Sequence, residues 1–454
     1  MELYYKTNNS QSSWVYKKTC YKTDIIIKET MDMKILIINT YDISGGAARA
    51  AFRLHEALLQ NNIDSQMLVA DKRSDISSVI TPYQSKFEKL FWKLCFFRDQ
   101  LSAKKHKKTE GKKFGPLSVA KIKNKKLVKA INSINPDIVH LHWICHGFLA
   151  IEDIARINAP IVWSLHDMWA FTGGCHYVGG VDKECDKYTR SCGSCELLES
   201  NKAKDLSFKV LQRKKKAYAK VKSMTIIGLS KWLQSCTKSS SLFTDKRVIN
   251  LPNPINTGLF KPFDIRAARK LFNLPEDKKL VLFGAMDATS TPYKGFTELI
   301  KALNKIKTEN VEFVVFGSSE PKNPPSLPCK VHYLGHLHDD ITLVLLYSAC
   351  DVIIVPSKRE NLSNVIMESL SCGTPVVCFD IGGNSDMVTH KVSGYLAQPF
   401  DTSGLAEGID WVLNNENCEE LSKNAREKIV NEFDHSIVVK KYIDLYKEVI
   451  ALNL

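Results

Sequence analysis

The strongest chemical signal lies in residues 356–375, PSKRENLSNVIMESLSCGTP. Glu360 follows an apolar run of the kind that forms a buried strand. Glu368 stands eight positions later, in a stretch with helical character. Ser363 and Asn364 are both good N-caps, so a helix is predicted to start there. The unpaired N–H groups of its first turn, backed by the helix dipole, make a ready phosphate site. A carboxylate within the first turn or two can accept hydrogen bonds from sugar or ribose hydroxyls. Two glutamates at this spacing are common by chance. Their weight comes from the context: strand, Pro-Ser, Glu, loop, Glu on a helix, Cys-Gly-Thr-Pro, strand.

A second group sits near the start of the chain. The apolar run KILIINT (34–40) is followed by a glycine turn, Ser44-Gly45-Gly46, and then by the helical pattern AARAAFRLHEALLQ. Strand, tight glycine turn and helix are the opening unit of a doubly wound α/β domain. His166 closes the apolar run 161–165, and Lys294-Gly295 precedes a helical pattern over 296–306. His140 and His142 alternate onto one face of a strand over 137–142 and are read as packing or hydrogen-bonding residues, with a place at the border of the acceptor pocket as the alternative. Cys175, Cys185, Cys192 and Cys195 fall at intervals of nine, six and two residues. Four thiolates suit a tetrahedral structural zinc, with a set of small thiols lining a loop as the alternative.

These groups need elements to hold them. Further strands are predicted over 224–229, 279–284, 311–317, 352–355 and 375–379, with helices over 342–349 and 364–371. LPNPINTGLFKP (251–262) reads as a linker. Two β/α series around a proline-rich hinge imply an α/β protein of two Rossmann-like domains facing across a cleft, with the ligand at the carboxyl ends of the strands. The expected organisation is a loosely structured leader (1–33), with Met31 or Met33 as the start of translation, then a first domain (34–252) and a second domain (253–434). A C-terminal helix (435–454) is expected to return to the first.

The 454 residues, 44% hydrophobic and 25% charged, suit two domains with proper cores. The net charge of +14 favours an anionic partner. Fifteen Lys or Arg against three acids concentrate in residues 86–130, and no aromatic-interleaved motif accompanies them, so no specific nucleic-acid partner is expected. Within that segment Phe87, Leu90, Phe91, Leu94 and Leu101 follow helical spacing among basic residues. This pattern is expected to dock on an anionic membrane or a lipid-linked acceptor, with a core-packing amphipathic helix followed by a solvated charge run as the alternative. No apolar run reaches the ~18–20 residues of a membrane span, and no signal peptide is evident. A cytoplasmic protein is expected, peripheral on the inner face of the membrane, its 13 cysteines reduced.

Together these motifs resemble the family 4 glycosyltransferases of GT-B fold, over nearly all of residues 34–450. HDMWAFTGGCHY with its spaced cysteines is similar to a subset that includes colanic-acid and other exopolysaccharide transferases. The resemblance implies a retaining, hexosyltransferase-type, metal-independent enzyme of surface polysaccharide biosynthesis. Its donor would be a nucleotide diphosphate sugar and its acceptor a lipid-linked saccharide, with no cofactor required for catalysis. It implies Gly45 and Gly46 at the donor diphosphate, Lys294 on its phosphate, and His166 in the active site. Glu360 would lie on the donor sugar and Glu368 on the ribose, with Asn361, Leu362 and Ser363 in the donor loop. No D-x-D pair occurs to hold a magnesium ion. Charge growing on the β-phosphate would then fall to Lys294, the glycine amides and the helix N-terminus.

Two departures stand out. The family pattern G-R-x-x-x-x-K-G reads GAMDATSTPYKG, with Met286 and Asp287, so one phosphate contact is missing or supplied from elsewhere. The family's E-G-F-G loop reads Glu360-Asn361-Leu362-Ser363, and Asn361 offers a side-chain hydrogen bond in place of a backbone one. Alternatives are a nucleotide-sugar epimerase of the same fold and a non-catalytic anion- or nucleic-acid-binding protein.

Overall fold

A computed structural model describes residues 33–104, 117–178, 185–284, 291–320, 324, 326–337 and 339–453. The leader, Met286 and Asp287, and part of the basic segment lie outside them.

The first sheet begins with β1 (Lys34–Tyr41), helix α1 (Gly46–Gln60), β2 (Asp64–Asp71) and the two-residue β3 (Val79–Ile80). Helices α2 (Lys86–Lys104) and α3 (Lys125–Ile134) lead to β4 (Ile138–Leu141). A single turn α4 (Ile151–Ile154), β5 (Ile161–Leu165), helix α5 (Leu206–Tyr218), β6 (Met224–Gly228), helix α6 (Lys231–Lys238) and β7 (Arg247–Asn250) complete it. The order is β3-β2-β1-β4-β5-β6-β7, all pairs parallel. Helices cover both faces, which is why Ile35–Ile38 are all fully buried and the strand reads as a continuous apolar run.

The second sheet follows the same logic. Helix α7 (Ile265–Leu271) precedes β8 (Lys279–Gly284), α8 (Phe296–Leu303), β9 (Val311–Phe316), β10 (Val331–Tyr333) and α9 (Asp340–Ala349). Then come β11 (Val352–Val355), α10 (Asn364–Ser371), β12 (Val376–Phe379), the short α11 (Asn384–Met387) and β13 (Gly394–Ala397). Its order is β10-β9-β8-β11-β12-β13, again parallel throughout. Helices α12 (Thr402–Leu413), α13 (Cys418–Phe433) and α14 (His435–Ala451) close the chain.

Strand order reverses between β1 and β4 in the first sheet and between β8 and β11 in the second. Loops leaving adjacent strands there diverge to opposite faces and open a crevice, the expected ligand position in such sheets. Helix α14 packs on the first domain: Tyr446 and Tyr442 reach His140 and Ser164, and Glu448 pairs with Arg247. One apolar cluster runs from β1 and α1 through Phe260 of the connecting segment to β8, α10 and α14. The two sheets are thus joined by shared core as well as by chain.

Candidate active site in the interdomain cleft

A cavity of about 430 Å³ lies between the two sheets. From the first domain come Gly45, Gly46, His166 and Asp167. From the second come Lys294, Glu360 and the loop Asn361-Leu362-Ser363. Each stands at the carboxyl end of a strand or the start of a helix, so the two crossovers deliver them to one place.

Two helix N-termini meet here. Gly45 caps α1 without a side-chain bond, and Ser363 does the same for α10. Residues 45–48 and 363–365 line the cavity. The first four N–H groups of a helix have no intrahelical acceptor, so both helices present donors and positive dipole ends to the same space. Gly45 has φ +94°, a conformation that L side chains rarely adopt, and the space where its Cβ would sit is empty for 4 Å. Asn364 ties the two ends together by donating to the Gly46 carbonyl at 3.0 Å.

Lys294 ends a turn at Pro292–Lys294, and its ammonium lies 3.2 Å from Glu360. Gly295 makes this possible. At φ +77° a Cβ there would lie 1.8 Å from the Pro356 carbonyl oxygen, so only glycine lets the lysine turn pack against the loop carrying Glu360. The pair sets a cation beside a carboxylate in the wall of the cavity.

Across the cleft, His166 Nε2 lies 2.9 Å from Nδ1 of His142. Burial lowers the His166 pKa to about 4 and holds that of His142 well below its ordinary value, so both rings are neutral near pH 7. Asp167 is held by three donors: His176 at 2.6 Å, the Trp143 indole at 2.9 Å and the Trp169 N–H at 2.8 Å. Burial would raise its carboxyl, but these partners outweigh it and hold it below the usual range.

Three expected roles look different in place. Glu368 lies one turn along α10 from the cavity lining, 2% exposed, and does not itself line the cavity. Its oxygens accept from Arg53 of α1 at 2.7 Å and from the Tyr347 hydroxyl at 2.8 Å. The Asn361 amide is spent on the first domain: it donates to the carbonyls of Leu165 and His166 and accepts from Ser230. Three of the four hydrogen bonds open to an amide are taken there, both N–H donors among them, which leaves one acceptor position on its oxygen for a donor molecule. The cysteines line a separate cavity, and among the described residues no three ligand-type side chains stand ready to hold an ion.

Asp167 and Arg53 were not singled out from sequence. Asp167 adjoins His166 and was open to notice; Arg53 reaches the site only through its pairing with Glu368. His142 was read mainly as a packing residue and Asn364 as a helix cap, and their pairings with His166 and Gly46 join distant parts of the chain.

Residues 264–428, a little over a third of the chain, match the family model for glycosyl transferases group 1. An uncharacterized glycosyltransferase of Methanocaldococcus jannaschii is 26% identical over 68% of this chain and 75% of its own length. A Campylobacter jejuni N,N'-diacetylbacillosaminyl-diphospho-undecaprenol alpha-1,3-N-acetylgalactosaminyltransferase is 29% identical over 43% of this chain, which spans about half (53%) of that relative. Among solved structures, a sucrose-phosphate synthase from Thermosynechococcus elongatus superposes with a TM-score of 0.65 at 20% identity, over 92% of this chain and 100% of the other. Anabaena HepE in complex with UDP-glucose gives 0.60 at 16%, with the same coverage. The chain is therefore similar to the glycosyl transferases group 1 over residues 264–428, and across nearly its whole length it has the GT-B fold of two facing Rossmann-like domains.

Proposed function

We propose that this chain is a glycosyltransferase that moves a sugar from a nucleoside diphosphate sugar to an acceptor hydroxyl. The observation that carries the reading is the convergence of two uncapped helix N-termini and Lys294 on one cavity. Anion, sugar and acceptor each have a place there. Donor N–H groups and the ammonium face the diphosphate; Glu360 accepts from sugar hydroxyls; His166 stands on the opposite wall. As the bond from the anomeric carbon to the phosphate oxygen breaks, the electron pair passes to the phosphate. Fixed donors already aimed at that charge stabilise it without reorganising. The acceptor oxygen forms the new bond and its proton leaves, with the departing phosphate as the nearest base in the retaining reading. That reading, and the metal independence with it, rests on the resemblance and on Lys294 and the helix ends as charge partners.

The acceptor is proposed to be a lipid-linked saccharide at an anionic membrane, for surface polysaccharide assembly. The Campylobacter relative, whose name contains a diphospho-undecaprenol, supports this, as does the exposed apolar and basic face of α2. The test is thermal shift against UDP-, GDP- and ADP-sugars. One of them is expected to raise Tm, since a ligand at about 100 Kd adds about 2.7 kcal/mol to the native state. Nucleotide release should then require acceptor; a sugar isomerised without acceptor would identify an epimerase. No shift with any nucleotide sugar at millimolar concentration would remove the donor site.

A further inference from the structure

The cleft leaves one cluster of reactive side chains unused. Cys175, Cys185, Cys192 and Cys195 line a single cavity of about 120 Å³ in the first domain, and none of the other described cysteines borders it. The four come from a loop that spans more than twenty residues, yet they pack together against the apolar core beneath β5 and α5.

Their sulfurs are placed as acceptors. The Cys195 sulfur receives the backbone N–H groups of Leu197 and Leu198, two and three residues on, and the Cys192 sulfur receives that of Gly173. A thiol is a weak acceptor, and N–H donors aimed at it gain strength only when it carries charge.

A second observation concerns Lys214 on α5. Its side chain is fully buried, donates to the carbonyls of Trp169 and Thr172, and lies close enough to Cys175 and Cys192 to feel their charge. A buried ammonium is costly without anions near it, and Asp167 and the thiols are the groups within its reach that can carry negative charge. Four thiolates around a divalent ion carry a net double negative charge, and beside that the lysine is a counter-ion.

We propose that Cys175, Cys185, Cys192 and Cys195 bind one structural zinc ion whose charge Lys214 offsets. The thiols now surround a space rather than a point. Zinc–sulfur bonds of about 2.3 Å draw them inward and fix the loop. Thr172 and Gly173, on the cavity wall, follow His166 by six and seven residues, and Asp167 anchors the same loop through His176 and Trp169. The ion therefore braces the wall of the cleft and takes no part in transfer. It stands whether or not the chain transfers sugars.

The test is metal analysis of the full chain purified without a polyhistidine tag. About one equivalent of zinc is expected, released by a mercurial reagent as four thiols react. Cys185→Ser and Cys192→Ser should each lose most of it, while Cys329→Ser in the second domain keeps it. Should the serine variants fail to accumulate, chelator treatment of the wild type is expected to lower Tm, and added zinc to restore it. Less than about a tenth of an equivalent, with four thiols titrating freely in the native protein, would overturn the proposal. Iron in place of zinc would overturn the ion assigned.

Discussion

His142 and His166 share one hydrogen across 2.9 Å, and which ring carries it decides what His166 offers the cleft. Among the described residues, Nε2 of His142 is buried without a partner. A buried orphan N–H is rarer than an under-used acceptor, so the hydrogen is assigned to Nδ1 of His142, which donates to His166. His166 then keeps its own hydrogen on Nδ1 and acts as a hydrogen-bond donor rather than a base. His142 is thus a positioning residue. His142→Leu is expected to lower kcat of the proposed transfer by about tenfold or more, the cost of one lost buried hydrogen bond, with donor KM little changed. His142→Asn, whose amide can donate from nearly the same place, should recover part of it. Equal losses in both variants, or a donor KM that rises in step, would contradict the assignment. The sequence showed that His140 and His142 share a face. It could not show that β5 sets His166 beside one of them, because register between strands is fixed by pairing across the sheet. Arg53 was hidden for a similar reason: its partner Glu368 is 315 positions away.

Among the elements, most of the buried parallel strands were readable from sequence; the interior strand β2 and the edges were not. KILIINT, 279–284, 352–355 and helix 364–371 appear where their apolar runs and caps put them. Strands β3, β7, β10 and β13 are short or half-polar and sit at or near sheet edges. They carry little local signal, and their neighbours create them. Helix α2 shows the opposite case. Its periodicity was plain, but periodicity alone does not say which way a stripe faces. Trp92, Cys95 and Asp99 turn inward, while Phe87 (84% exposed), Leu90, Phe91, Leu94, Phe97 and Leu101 face solvent. Lys86, Lys89, Lys93 and Arg98 are exposed on the same helix. An apolar stripe flanked by cations matches an anionic bilayer surface in both chemistry and charge. The chain is expected to float with phosphatidylglycerol vesicles at low salt. Phe87→Ser with Phe97→Ser should abolish flotation while leaving Tm within a degree or two, because both rings are already in water. A wild-type chain that stays unbound at low salt, where attraction is greatest, would defeat this reading.

At the scale of the whole molecule, the question is what holds the two domains at this separation. Polar contacts cross the cleft at Asn361, at Asn364, and between the Lys231 N–H and Asp386. To these is added a buried ion pair of Arg53 with Glu368, whose side chains are 9% and 3% exposed. Arg53 also reaches Asp340 and lies over the ring of Phe260, 4.8 Å from its centroid, in the segment that joins the domains. One guanidinium thus touches α1, the connecting segment, α9 and α10. Each carboxylate oxygen can accept two hydrogen bonds, so a ribose hydroxyl could join Arg53 and Tyr347 on Glu368 without displacing either. Donor binding and domain closure would then draw on the same carboxylate. Arg53→Ala strands a buried carboxylate and is expected to cost about 3–5 kcal/mol in denaturant unfolding. It should also enlarge the radius of gyration of the free protein as the domains part. Adding Glu368→Gln to the same chain removes the stranded charge and should return part of the stability, but not the closed dimensions. If Arg53→Ala unfolds at the wild-type midpoint with unchanged dimensions, the pair is not what joins the domains, and Glu368 is free to serve the donor alone.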